Sequence, residues 1–162
     1  MALSITKVDY SDPAQGAHLL DLLDSYARDP MGGGQPLSPE TKASLLAKLA
    51  AQPTAFSLIA YAGGEPAGLA NCFFGFSTFA AKPLINIHDV VVKPEYRGKG
   101  IGRALFAEIE QIAAQANACK VTLEVLSGNH AAKALYASLG YGDYNLNPES
   151  GTALFWEKRI AA

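Results

Sequence analysis

Val90-Val91-Val92-Lys93-Pro94-Glu95-Tyr96-Arg97-Gly98-Lys99-Gly100-Ile101-Gly102-Arg103 is the stretch whose reading decides the fold. The valine run reads as the buried end of a strand, because β-branched side chains suit a packed, pleated surface. Lys93 to Tyr96 is a short loop broken by Pro94. A helix then runs from about Gly100 to Ala116, with Ile101, Leu105, Ile109 and Ile112 on one stripe. The glycines at 98, 100 and 102 remove side chains where backbone approaches a ligand. The first amides of a helix lack internal partners and converge on one point, which the helix dipole makes favourable for negative charge. Arg97, Lys99 and Arg103 add cations there. The stretch reads as an anion site shaped for a pyrophosphate. The plainer alternative is a glycine turn that only packs a strand on a helix.

Two other phosphate motifs fail. A P-loop needs GxxxxGK[ST], and Lys99 is followed by glycine. A dinucleotide fingerprint needs GxGxxG, and the spacing here is wrong, although Glu124 lies about twenty residues on, where a ribose-binding acid would stand.

Working outward, Ile5 to Tyr10 reads as a strand, and Asp12-Pro13 as a cap and first turn. A helix carrying Leu19, Leu20, Leu22 and Leu23 follows to about Tyr26. Met31 to Pro36 is glycine-rich and reads as a mobile loop. Ser38-Pro39 opens a second helix to about Ala51. Thr54–Ala62, Pro66–Ser77 and Leu84–Val92 read as strands, the first two joined by a Gly63-Gly64 hairpin turn. Lys120–Leu126 is strand-like, a helix from Asn129 stops at Gly140, and Tyr141–Leu146 and Thr152–Arg159 read as two last strands. This is an α/β or α+β pattern with a mixed sheet, without internal repeat or linker, and the 162 residues are expected to form a single domain.

Composition narrows the classes. Apolar residues make up 49% and charged residues 17%, as in a globular chain. A formal net charge of −2 argues against a nucleic-acid partner. No apolar run of ~18 residues spans a membrane, and Met1 to Ser4 does not begin a signal peptide, so the cytoplasm is the default expectation. Cys72 and Cys119 form no CxxC pair and are expected to be buried small hydrophobes. His18, His88 and His130 lack metal-ligand spacing, so no metal is expected.

Ser127-Gly128-Asn129-His130-Ala131-Ala132-Lys133-Ala134-Leu135-Tyr136-Ala137-Ser138-Leu139-Gly140-Tyr141 is the second informative stretch. Asn129 and Tyr136 are seven residues apart, two helical turns, and so share a face. Asn129 also suits an N-cap, and Tyr136 beside Leu135 and Leu139 also suits a core.

Together the two stretches resemble the GNAT superfamily of acyl-CoA N-acyltransferases. Its signature, Arg or Gln, two residues, Gly, one residue, then Gly or Ala, is matched by Arg97-Gly98-Lys99-Gly100-Ile101-Gly102. The resemblance implies one α/β domain with a twisted, mixed, mostly antiparallel sheet of about seven strands and about four helices. It implies that amides of Gly98, Lys99, Gly100, Ile101, Gly102 and Arg103 hold the CoA pyrophosphate, and that the backbone of Val90, Val91 and Val92 pairs with pantetheine as an added strand would. It implies that Asn129 contacts CoA near the pantetheine and that the Tyr136 hydroxyl approaches the thioester sulfur. A phenol of pKa about 10 stays protonated near neutrality and can protonate a leaving thiolate.

The amine must lose a proton, directly or through water. His88 and Asp89 precede the valines and stand where some polyamine and diamine acetyltransferases carry a glutamate–aspartate pair. A strand without a bulge would place them on opposite faces, so only one is expected to meet the acceptor. Each also has a structural reading, and Glu124 is a further candidate. Gly75 to Phe79 and the Met31–Pro36 loop line an acceptor pocket or merely pack. The resemblance implies direct acetyl transfer from acetyl-CoA to a primary amine of a small molecule. The alternatives are a non-catalytic CoA-binding module, and an enzyme acting on a protein lysine or N-terminus. A homodimer belongs to the resemblance alone.

Overall fold

The computed structural model describes residues 1–161. Met1–Leu126 form one compact unit and a second begins at Ser127. In the first, the elements run β1 (Leu3–Lys7), α1 (Pro13–Arg28), α2 (Pro39–Ala50), β2 (Ala55–Ala62), β3 (Glu65–Ser77), β4 (Lys82–Val92), α3 (Ile101–Gln115) and β5 (Val121–Leu123). The strands lie in sequence order, antiparallel from β1 to β4, with β5 parallel to β4.

Local chemistry explains the starts. The Asp12 carboxylate accepts from the amides of Ala14 and Gln15, and the Ser38 hydroxyl accepts from Thr41, each ahead of a proline at the first helical position. Leu19 and Leu22 of α1 and Leu49 of α2 are buried with Ile59, Leu69 and Val91 of the sheet. A Cβ on Gly68 would point at Ile101 and Leu105, so α3 covers the opposite face. The expected α3 stripe buries Ile101, Leu105 and Ile109, and Phe106 and Ala113 join it.

Three expectations are corrected. The Met31–Pro36 stretch, expected as a loop throughout, begins in a 3₁₀ turn: Pro30–Gly32 is capped by the Asp29 carboxylate, and the Gln35 amide donates back to the Ala27 carbonyl at 3.0 Å. A Cβ on Gly32 would fall 1.9 Å from the Tyr26 carbonyl oxygen, so the glycine serves a close approach. The expected strands at Tyr141–Leu146 and Thr152–Arg159 are absent, so the described residues hold five strands where about seven were expected. β-propensity reports fit to a half-buried pleated surface, and Leu154, Phe155 and Trp156 are 75–82% exposed. Cys119 is exposed, whereas Cys72 is buried as expected. The second unit contains α4 (His130–Ser138) and a 3₁₀ turn at Pro148–Ser150. No helix among the described residues is long and apolar enough to cross a membrane.

Candidate active site

β4 is paired unequally on its two edges. On one edge it pairs with β3 all the way to Val92. On the other, its register with β5 is Ile85↔Val121, Asn86↔Thr122 and Ile87↔Leu123, and stops there. From His88 to Val92 that edge runs on without a neighbouring strand among the described residues. Such an edge carries backbone donors and acceptors ready for an extended partner.

The edge leads through the 3₁₀ turn Pro94–Tyr96 into the glycine loop. Gly98 and Gly100 have φ of +75° and +81°, left-handed values that an L side chain adopts only with strain. A Cβ built on either meets no atom within 4 Å, so each faces open space. Gly100 caps α3 with no side chain over the helix end, and the first backbone bond back to it comes from Ala104, at 3.0 Å. The first turn of α3 thus starts beside two positions that carry no Cβ and open onto space, which fits a pyrophosphate.

The cations are less uniformly aimed than their spacing suggests. Arg97 turns back: its Nε donates to the Val92 carbonyl at 3.2 Å, and its guanidinium lies 3.7 Å from the Asp29 carboxylate. It braces the loop against the end of α1. The Lys99 ammonium lies over the Tyr96 ring, 5.4 Å from its centroid. Lys93, not singled out from the sequence, pairs with Asp21 of α1 at 3.5 Å. Lys99 and Arg103 are exposed, while the Ile101 side chain is buried and leaves only its amide to the site.

The acceptor candidates meet through an irregularity. Asn71 of β3 pairs with Asp89, but Cys72 pairs with Ile87, so His88 is the extra residue of a β-bulge. The His88 ring packs edge-on against Phe73 with centroids 5.6 Å apart. Asp89 Oδ2 accepts from Asn71 Nδ2 at 3.1 Å. Phe73 and Asn71 alternate onto one face of β3, so His88 and Asp89 share the face covered by α1 and α2. The bulge thus places on one face two residues that regular alternation would have put on opposite faces. His88 is exposed and Asp89 half-buried.

Tyr26, near the end of α1, is half-buried on this face, and its phenol is pushed up first by burial and then by the charges of Asp89 and Asp29. Two carboxylates thus act on one phenol. Behind the sheet, the Cys72 thiol is pushed up to about 12, mainly by burial and then by Asp89, which removes it as a nucleophile near neutrality.

In the second unit, Asn129 is the N-cap of α4, its Oδ1 accepting from the Ala132 amide at 3.3 Å. Tyr136 is half-buried in the last turn, and its carbonyl accepts from Leu139 and Tyr141 at 3.0 Å each, closing the helix. Glu124 is exposed just beyond β5, and Phe76 and Phe79 at the β3–β4 hairpin are 63% and 96% exposed, so these two rings do not pack into the sheet.

Sequence reasoning missed Asn71, Ser57, Tyr10, Tyr26 and Asp29. Polar residues within the apolar runs of β2 and β3 were the available signal for Ser57 and Asn71. The other three depend on tertiary placement.

A sequence model of the acetyltransferase (GNAT) family matches residues 18–141. Over 87 residues the chain is 36% identical to the thialysine N-epsilon-acetyltransferase of Bos taurus, a stretch that covers 51% of either chain. Over 83 residues it is 36% identical to the N-alpha-acetyltransferase RimI of Mycobacterium tuberculosis, covering 50% of this chain and 51% of that one. The chain thus spans about half the length of these relatives. In fold it is similar to an aminoglycoside acetyltransferase from an uncultured soil metagenomic sample, with a TM-score of 0.77, 19% identity, and 99% and 100% of the two chains covered.

Proposed function

The chain belongs to the acetyltransferase (GNAT) family, and from that premise we propose that it moves an acetyl group from acetyl-CoA directly to the primary amine of a small molecule. One observation carries the reading. The β4 edge released after Ile87 leads through one short turn to a helix start at which Gly98 and Gly100 open onto space. That is a slot with amide partners for an extended arm and, at its end, a cradle for a pyrophosphate.

In this reading Val90, Val91 and Val92 hold the pantetheine arm by their backbone, and the amides of Gly98 to Arg103 hold the pyrophosphate. Backbone N–H groups polarise the thioester carbonyl. The bound ammonium gives one proton to His88, directly or through water; the freed amine then forms the C–N bond as the C–S bond breaks, Tyr136 protonates the departing thiolate, and the second N–H proton returns to Tyr136 through solvent. Asn129 supports the arm. Asp89 supplies negative charge suited to an ammonium group. The high thiol pKa of Cys72 supports direct transfer without an acyl-enzyme. The proposal takes the chain as one domain, working in the cytoplasm on a soluble amine without a metal. A homodimer is part of it by resemblance.

The M. tuberculosis relative's name favours a second reading, a peptide N-terminus as acceptor. The test is acetyl-CoA turnover followed by thiol release with lysine, spermidine, kanamycin and short peptides. Turnover with a small amine above that with any peptide supports the proposal. Peptide preference supports the second reading. CoA binding without turnover on any acceptor would leave a non-catalytic CoA-binding module.

A further inference from the structure

Three strands bring a polar row together under the acceptor face. Ser57 of β2 is the register partner of Asn71 of β3, and Asn71 is the register partner of Asp89 of β4. Ser57 is 0% and Asn71 4% exposed, and they are the buried polar side chains among the described residues. The neighbours on this face, Ile59, Leu69 and Val91, are apolar core. An apolar pair at 57 and 71 would therefore extend that core, and the chain instead keeps a hydroxyl and an amide there.

The hydrogens of the row all run one way. Ser57 Oγ donates to Asn71 Oδ1 at 2.6 Å, and Asn71 Nδ2 donates to Asp89 Oδ2 at 3.1 Å. A hydroxyl has one hydrogen, so in the 2.8 Å contact between Ser57 Oγ and the Tyr10 hydroxyl the tyrosine donates. Flipping the Asn71 amide would set its carbonyl against a carboxylate, two acceptors face to face. The order Tyr10, Ser57, Asn71, Asp89 is thus fixed by the carboxylate at its end, and each link polarises the next.

We propose that Asn71 is a positioning residue of the acceptor site. It holds Asp89 through Oδ2 so that Oδ1 is presented to the acceptor's ammonium, and Ser57 and Tyr10 hold Asn71. The inference rests on the reading of Asp89 as the group that receives the amine. The row explains why a half-buried carboxylate keeps one orientation before substrate arrives, and such preorganisation favours binding over rearrangement.

The test is steady-state kinetics with whichever of lysine, spermidine and kanamycin turns over fastest. Asp89→Asn and Asn71→Leu should each raise the acceptor KM by about 10-fold or more, as expected for loss of a hydrogen bond to a charged group. The KM for acetyl-CoA should stay within about twofold, because both substitutions change side chains on the sheet face and leave the backbone of the β4 edge in place. The double variant should be no worse than Asp89→Asn alone, since Asn71 acts only through Asp89. Ser57→Thr and Ser57→Val add the same methyl group and differ in the hydroxyl. Thr should keep the acceptor KM near wild type while Val follows Asn71→Leu, a comparison that holds even if Asn71→Leu fails to fold. Additive effects of Asn71→Leu and Asp89→Asn, or equal KM for Thr and Val, would overturn the inference. An unchanged KM in Asp89→Asn overturns instead the reading of Asp89 on which it rests, and the inference falls with it.

Discussion

Gly100 separates the demands of the fold from those of the ligand. Its φ of +81° places it in the left-handed region, where any Cβ costs about 1–2 kcal/mol. That Cβ meets no atom within 4 Å, so there is no steric penalty to add. Gly100→Ala should therefore lower Tm by roughly 2–8 °C, at about 2–4 °C per kcal/mol for a chain of this size. Gly100→Asp should be no less stable than the alanine variant, because aspartate tolerates this backbone region and its charge suits a helix N-terminus. The same charge opposes a pyrophosphate. Two like charges ~4 Å apart at an effective dielectric of ~20 repel by about 4 kcal/mol, and halving this for solvent screening at an exposed loop leaves about 2 kcal/mol, roughly 30-fold in Kd. Calorimetric titration with CoA, alongside thermal melts of all three proteins, measures both quantities. The reasoning is refuted if the aspartate variant is folded and binds CoA as tightly as the alanine variant.

Tyr136→Phe should lower kcat by about 10²-fold or more with little change in CoA affinity, and near-normal turnover where chemistry limits the rate would make Tyr136 a packing residue. His88→Ala should lower kcat by about 10²-fold or more while the acetyl-CoA KM stays within about twofold, and near-normal turnover where chemistry limits the rate rejects His88 as the proton acceptor. Gly32→Ala forces a Cβ to within 1.9 Å of the Tyr26 carbonyl oxygen, so urea unfolding should show a loss of about 1–3 kcal/mol. The Asp24 carboxyl is held below its usual range, chiefly by the Leu37 amide and then by Lys42 and Arg28. Its stabilisation is present above the unfolded-state pKa and lost as pH falls through the lower folded-state value. Wild type should therefore exceed Asp24→Asn in urea midpoint near pH 7 and converge on it in acid, and a gap independent of pH would contradict this.

The elements that were legible carry their cause in a short window. Asp12-Pro13 and Ser38-Pro39 state a cap and a first turn in two residues, and both helices start there. The α3 stripe and the glycine loop likewise need no distant partner to be recognised. What failed depends on partners. A Tyr141–Leu146 or Thr152–Arg159 strand requires a neighbour to accept its amides, and alternation of apolar residues reports suitability for a sheet without supplying one. The Met31–Pro36 turn depends on Asp29 and on the Ala27 carbonyl, and glycine content alone reads as looseness. Arg97 is the instructive case at the site. Its place in the motif is local, but its direction is set by Asp29, 68 positions earlier in the chain.

The bulge at His88 is the feature that no local pattern announces, and both sides of the proposed reaction depend on it. Ile87 is the last residue of β4 paired on both edges, to Cys72 on one side and Leu123 on the other. Immediately beyond it stands the one extra residue. An inserted residue strengthens the local right-handed twist and bends its strand, and β4 leaves β5 at that point while keeping β3. The same insertion shifts the alternation by one, turning His88 onto the face of Asp89 and leaving Val90 and Val92 on the other. A regular β4 would have separated His88 from Asp89. The free backbone proposed for an acyl donor and the paired side chains proposed for an amine thus begin at a single departure from regular pairing, placed where the strand passes from structural sheet to open edge.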